Sequence, residues 1–218
     1  STAAANTIAV VDFETTGMGP TQGARATEIA VVLVQGGRIT GRYASLMRTG
    51  VWVPPFITQL TGITNAMVAE APPASEVMAQ ASRFVGETPL VAHNAAFDRG
   101  FWQAELARAG CAAAQPFACT VRLSRRLYPE APDHKLGTLT RWFDLQRDGR
   151  AHRAMSDADV TAQLLLRMQD DIADRFGAWL GGHDVDHGLL ARLQRAQRGQ
   201  LQRCVQQHCG SASAADQK

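Results

Sequence analysis

Two carboxylates, Asp12 and Glu14, close the apolar run Val10-Val11-Asp12-Phe13-Glu14 and are followed by Thr15-Thr16-Gly17. On an extended strand the side-chain period is two, so both acids point to one side. Like charges on one face repel each other and are costly to desolvate. A divalent cation relieves both problems, and hard oxygen ligands select Mg²⁺ or Mn²⁺. For this pair taken alone, a solvated strand end whose acids merely face water is the alternative.

Two further stretches carry acids in comparable settings. His93-Asn94-Ala95-Ala96-Phe97-Asp98 follows a short apolar strand and opens a helix. Asn94 suits an N-cap, which places Asp98 in the first turn, where the helix dipole by itself would favour an acid. Phe97 and Phe101 are i,i+4 partners on the apolar face. In His152-Arg153-Ala154-Met155-Ser156-Asp157-Ala158-Asp159, Ser156 and Asp159 have the spacing of a capping box. The helix that follows has Asp157, Thr161, Leu164 and Met168 on one face. Asp157 therefore leads a stripe that turns toward the core, where an unpaired carboxylate is costly. A metal or a buried partner is expected there.

Taken together, these three stretches resemble the signature motifs of the DEDDh 3′–5′ exonucleases, in order and in spacing, over about residues 7–173. The resemblance implies an α/β chain with an RNase H-like fold, a five-stranded mixed sheet flanked by helices. It implies that Asp12, Glu14, Asp98 and Asp157 hold two divalent ions, Mg²⁺ or Mn²⁺, and that His152 is the general base. Two metals can serve the attacking and the leaving oxygen of a phosphodiester, and a neutral imidazole can take the water's proton. The product would be nucleoside 5′-monophosphates, released from single-stranded DNA or RNA 3′ ends, with DNA favoured. An RNA-trimming enzyme is the alternative, and a non-catalytic binding module of a polymerase complex is a more distant one. Thr15, Thr16, Leu60, Thr61, Asn94, Phe97 and Arg153 are the expected substrate contacts. Thr61 stands where family members often have His, before Gly62-Ile63-Thr64. Leu60 would wedge against the terminal base or, alternatively, be a core leucine. Arg122, Arg125 and Arg126 form one helical face, and Arg141, Arg147, Arg150 and Arg153 bracket the approach to His152; any of them could contact phosphate or be a solvated face, and Arg150 and Arg153, beside His152, are favoured.

The elements that must position these residues are legible in outline. Strands are expected at Thr7–Phe13, Glu28–Val34, Arg38–Met47, Pro89–Ala92 and Phe117–Thr120. Helices are expected at Pro73–Val85, Ala95–Ala109 and about 121–128, 136–144 and 156–173. Strands first, then strand–helix alternation, argue for a mixed sheet with helices on its faces. Trp102, Trp142 and Trp179 fall in helical patterns and read as core or stabilising residues. The character changes after about residue 174. We therefore divide the chain into a domain over 1–174 and a basic, Gln/Arg-rich extension over 175–218, helical or partly disordered, with Gly210–Lys218 as a disordered end. That extension could dock a polymerase subunit.

Composition excludes several classes. Of 218 residues, 45% are hydrophobic and 19% charged, enough for a sizeable core and unlike a disordered or low-complexity chain. The longest apolar run, Ile29–Val34, is far short of the ~20 residues a membrane-spanning helix needs. Ser1–Asn6 lacks the basic and apolar regions of a secretory signal. Cys111, Cys119, Cys204 and Cys209 do not form a disulfide framework in a chain this long, so a cytoplasmic setting is expected. His183/His187 and Cys204/Cys209 are weak metal candidates. The net charge of +2 is uneven: residues 1–174 carry −1 and residues 175–218 carry +3.

Overall fold

The computed structural model describes residues 6–215, with side chains to Gly210. The expectations for Ser1–Ala5 and for 216–218 lie outside the described residues. Strands β1 (Ile8–Thr15), β2 (Ala26–Gln35), β3 (Arg38–Leu46), β4 (Leu90–Ala92) and β5 (Phe117–Cys119) form one sheet in the order β3-β2-β1-β4-β5. The β1–β2–β3 meander is antiparallel, while β4 and β5 run parallel to β1. This is the expected five-stranded mixed sheet with helices on both faces.

Alternation along the strands divides the core. Ile8 and Val10 face one side with Val32, Val91 and Ala118. Ala9, Val11 and Phe13 face the other with Ile29, Val31 and Leu90. Helices α3 (Ala74–Val85) and α4 (Ala95–Arg108) cover the second face. The first is covered by α5 (Thr120–Leu127), α6 (Leu136–Trp142) and α7 (Ala154–Leu180). Asp12 and Glu14 continue the Ile8–Val10 parity, so they project toward α7. Two short helices, α1 (Pro55–Thr61) and α2 (Asn65–Ala69), surround a small core of Val53, Ile57, Ile63 and Val68.

The long helix differs from expectation at both ends. It starts at Ala154, with Arg153 at the N-cap position and no side-chain cap. Ser156 and Asp159 are therefore not a capping box. Instead Ser156 accepts from Arg147 and Asp159 pairs with Arg42. The helix then runs past 174 to Leu180 and stops at Gly181, which takes a left-handed conformation (φ 59°). Phe176 and Leu180 continue its buried face.

The division expected at 174/175 thus falls inside α7. Helices α8 (His187–Leu193) and α9 (Leu201–Ala215) follow, the latter running through part of the stretch expected to be disordered. Leu189, Leu190, Leu193 and Val205 are fully buried in the same cluster as the first sheet face. Of the three tryptophans expected to be core or stabilising, Trp102 is buried, while Trp142 and Trp179 are 45% and 37% exposed and are not core. No described helix is long and apolar enough to cross a membrane.

Because these leucines complete the core, Leu193→Ala should cost about 2–5 kcal/mol in urea unfolding. A chain ending near Asp174 should be insoluble or lack a cooperative melt by circular dichroism. A shortened chain that melted like the full one would show α8 and α9 to be dispensable.

Candidate active site

Asp12 and Glu14 on β1 meet Asp157 in the first turn of α7, with one carboxylate oxygen from each lying within 4.8 Å of the others. It is the only such grouping of three or more His, Cys, Asp or Glu among the described residues. Asp98 approaches from the opposite face of the sheet. Its Oδ1 accepts from the Phe13 N–H at 3.1 Å. β1 pairs with β4 at Ala9 and Val10, so this N–H lies beyond the strand ladder and the carboxylate takes the neighbour's place. Asp98 is 2% exposed.

A fifth carboxylate, Glu28, completes the cluster and was not foreseen as part of the site. It sits directly opposite Glu14 in the β1–β2 register, where like charges destabilise a sheet. Arg153 resolves this with a two-pronged ion pair to Glu28 at 3.1 and 2.7 Å, and Glu28 also accepts from the Ala154 N–H at 2.7 Å. Glu28 thereby caps the helix that carries Asp157. A similar fork fixes α4. Buried Glu105 pairs with Arg25 at 2.8 and 2.9 Å and accepts from the Ala26 N–H. The sequence signal was available in both cases, an acid inside an otherwise apolar strand or helix face.

Asp157 is held from two sides. Arg147 Nη1 donates to its Oδ1 at 2.6 Å, and the His152 N–H donates to its Oδ2 at 3.1 Å. His152 adopts φ 61° and is exposed, contacting this carboxylate through its backbone N–H. Asp12 is treated differently: its Oδ2 is buried and has no hydrogen-bond partner. A buried carboxylate oxygen without a donor is costly, and a divalent cation is the chemical group that fits an all-oxygen set of this kind. Burial is the first cause pushing the Glu14 carboxyl up to about 8, helped by Asp157, Glu28 and Asp98 and opposed by Arg153. Burial, then Asp98 and Glu14, push Asp12 well above the carboxylate range. Asp98 is raised by burial and lowered by its bond from Phe13.

The expected substrate contacts divide. Leu60 is 47% exposed on α1 and shares a face with Phe56, 65% exposed, so it is not a core leucine. Thr61 is 1% exposed, its hydroxyl donating to the Ile57 carbonyl and accepting from the Ile63 N–H, which turns it away from any ligand. The Thr15 hydroxyl donates to the Gly17 carbonyl, and that of Thr16 accepts from the Arg25 N–H. Asn94 does not cap α4 with its side chain. It takes a left-handed conformation (φ 68°) that asparagine tolerates, and is exposed. Phe97 packs on Phe101 with ring centroids 5.0 Å apart.

The arginines beside His152 are engaged within the protein. Arg153 is committed to Glu28, and Arg150 donates to the carbonyls of Gln59 and Leu60 at 2.8 and 3.2 Å, tying α1 to the His152 segment. Gly62 is favoured here. Its φ is +79°, and a Cβ would lie 2.8 Å from Arg150 Nη1. His93 is structural, its Nε2 donating to the His134 carbonyl at 2.8 Å; burial lowers its pKa to about 4. His187 is buried and its Nε2 donates to the Leu90 carbonyl.

The crowded acids set a pH dependence. With its pKa raised from 4.5 to about 8, Glu14 in the folded chain holds a proton that the unfolded chain has already released. Stability without cations therefore falls as pH rises through that window. In EDTA the Tm should drop between about pH 5 and 8, and Mg²⁺ should flatten the dependence. A Tm in EDTA that rose across the window would contradict this electrostatic picture.

Comparison with known proteins agrees with this geometry. The family model described as Exonuclease, RNase_T, matches residues 9–165. The 3′–5′ exonuclease DinG of Bacillus subtilis is 37% identical over 167 residues, covering 75% of this chain and 18% of that protein. The DNA polymerase III subunit epsilon of Aquifex aeolicus is 31% identical over 190 residues, covering 87% of this chain and 90% of that one. The solved structure of exonuclease X in complex with 5′ overhanging duplex DNA superposes with a TM-score of 0.63 at 27% identity, covering 86% of this chain and 99% of that one. Several curated relatives are much longer, and the chain spans 27% and 12% of two of them. With the family model matching residues 9–165, the chain belongs to the RNase_T exonuclease family.

Proposed function

We propose that the protein is a metal-dependent 3′–5′ exonuclease that hydrolyses single-stranded nucleic acid, DNA in preference to RNA, to nucleoside 5′-monophosphates. The observation that carries the reading is the convergence of Asp12, Glu14 and Asp157, with Asp98 adjoining, around a buried Asp12 oxygen that has no donor. Similarity to a DNA polymerase III subunit and to an exonuclease solved with DNA supports the choice of DNA.

In this reading the three aspartates and one glutamate of the signature, Asp12, Asp98, Asp157 and Glu14, hold two Mg²⁺ or Mn²⁺ ions. Those ions would neutralise charge on the scissile phosphate and on the attacking and leaving oxygens. The chain's own residues do the rest. His152 accepts the proton of the attacking water as the new P–O bond forms and the bond to the 3′ oxygen of the preceding nucleotide breaks. That oxygen then takes a proton from solvent. The His152 N–H, Arg147 and Glu28 position Asp157 and the start of α7. Leu60 and Phe56, on the exposed face of α1, press on the terminal base, and Arg150 keeps that helix against the His152 segment. A role for the extension in docking a polymerase subunit remains part of the proposal.

The decisive experiment follows a labelled single strand of DNA and its RNA counterpart. Mononucleotides should appear from the 3′ end with Mg²⁺ or Mn²⁺, faster from DNA. Excess EDTA or a 3′-phosphate should stop the reaction. Full activity in EDTA, or cutting of a circular strand as the main product, would overturn it. His152→Ala should reduce kcat by about 10²–10⁴-fold while substrate still binds. Asp12→Ala should do at least as much. Near-normal turnover of His152→Ala at pH 7–8 would remove the general-base assignment.

A further inference from the structure

The active centre is strongly acidic, yet its substrate is a polyanion. The ion pairs of the described residues leave a second surface uncompensated. Arg122, Arg125, Arg126, Arg195 and Arg198 line one open cleft that contains no acidic residue. Among the described residues none of them pairs with a carboxylate, whereas Arg25, Arg42, Arg147, Arg153 and Arg167 all do. The cleft is one of three that run together. Arg195 also lines a neighbouring cleft of about 310 Å³ with Asn94 and Arg99, and a third with Arg192 and Arg203. None of the three has an acid in its lining.

This surface is held in place from beneath. Buried Gln194 accepts from the Cys119 N–H at 2.7 Å, fixing the end of α8 to β5. Arg126 donates to the Ala196 carbonyl at 2.7 Å and to the Arg122 carbonyl at 3.0 Å, fixing the chain after α8 to α5. The guanidiniums therefore stay close despite mutual repulsion, which contributes, after burial, to lowering the pKa of Arg126.

The placement relates the surface to the active centre. β1, β4 and β5 are parallel, so their C-terminal ends share one edge of the sheet. Asp12 and Glu14 lie at that end of β1, the turn carrying Asn94 and Asp98 follows β4, and α5 follows β5 directly. Arg99 is adjacent to Asp98 in sequence and marks the near end of the cationic surface. Arg192, Arg195, Arg198 and Arg203 all fall outside the family match over 9–165.

Building on the exonuclease reading, we propose that the Arg99–Arg122–Arg125–Arg195–Arg198 surface binds the phosphodiester backbone of the nucleic acid on the 5′ side of the nucleotide being removed. Guanidiniums suit this role because they form two-pronged hydrogen bonds with phosphate and remain charged at every working pH. The C-terminal extension would thus give the enzyme its grip on strands longer than the few nucleotides at the active centre.

The test uses the full chain and a variant combining Arg122→Ala, Arg125→Ala, Arg195→Ala and Arg198→Ala. None of these four side chains makes a hydrogen bond to the described fold that the core depends on. Binding of a fluorescent strand of about 30 nucleotides in EDTA should weaken 10–100-fold, and the slope of log K against log salt should become shallower by about 0.7 per lost contact. With Mg²⁺, KM for the long strand should rise correspondingly, while kcat and all trinucleotide kinetics stay unchanged. Lysine at the same four positions should preserve the salt slope. A single strand and a duplex with a recessed 3′ end are compared: loss confined to the duplex would assign the surface to the complementary strand's phosphates. Unchanged binding of both substrates would overturn the proposal. Binding that weakens as expected in a protein that degrades neither trinucleotide nor long strand would overturn the exonuclease reading and leave the surface standing.

Discussion

The structure depends on how carboxylates are gathered at one end of β1 without the fold being lost. The charges of Glu14, Glu28, Asp98 and Asp157 all bear on Asp12 there. Two buried glutamate–arginine forks make the arrangement tolerable and also build it. Glu28 with Arg153 pins the start of α7 to β2, and Glu105 with Arg25 pins α4 to the beginning of the same strand. Each fork also accepts a backbone N–H. Removing one partner of such a pair would strand a buried charge, which is far costlier than the pair is stabilising. Both helices that deliver a signature aspartate are therefore registered against the strand next to the one carrying Asp12 and Glu14.

Charge is partitioned on a larger scale as well. Arginines near the acids are spent inside the protein: Arg147 on Asp157, Arg153 on Glu28, Arg150 on the carbonyls of Gln59 and Leu60. Arg122 and Arg125 on α5, and Arg195 and Arg198 beyond α8, are left facing solvent. An acidic centre that attracts cations and a separate cationic surface that attracts phosphate need not compete, because they occupy different stretches of the same sheet edge.

The extension shows how weakly composition reports on packing. Its net charge of +3 and its many glutamines and arginines suggest an appendage. Yet Leu189, Leu190, Leu193, Leu201 and Val205 bury themselves in the cluster that covers one sheet face. Spacing of a few leucines carries the structural information, and the polar residues between them remain on the outside.

The strands, most helices and the signature acids were legible in the residues alone, because these are local or periodic properties. Strand parity placed Asp12 and Glu14 on one face, and helical spacing turned Asp157 inward with Thr161, Leu164 and Met168, all buried. Tertiary structure alone decided which partners those residues meet. Glu28 joins the site through the β1–β2 register, a pairing between residues 14 positions apart. Asp98 reaches Phe13 across 85 positions because β4 ends too early to do so. The fate of the guanidiniums was equally non-local: Arg153 was absorbed into a fork with Glu28 and Arg150 into the carbonyls of Gln59 and Leu60. Such outcomes follow from which donors and acceptors are left unmatched once the elements have packed, and no window along the chain contains that information.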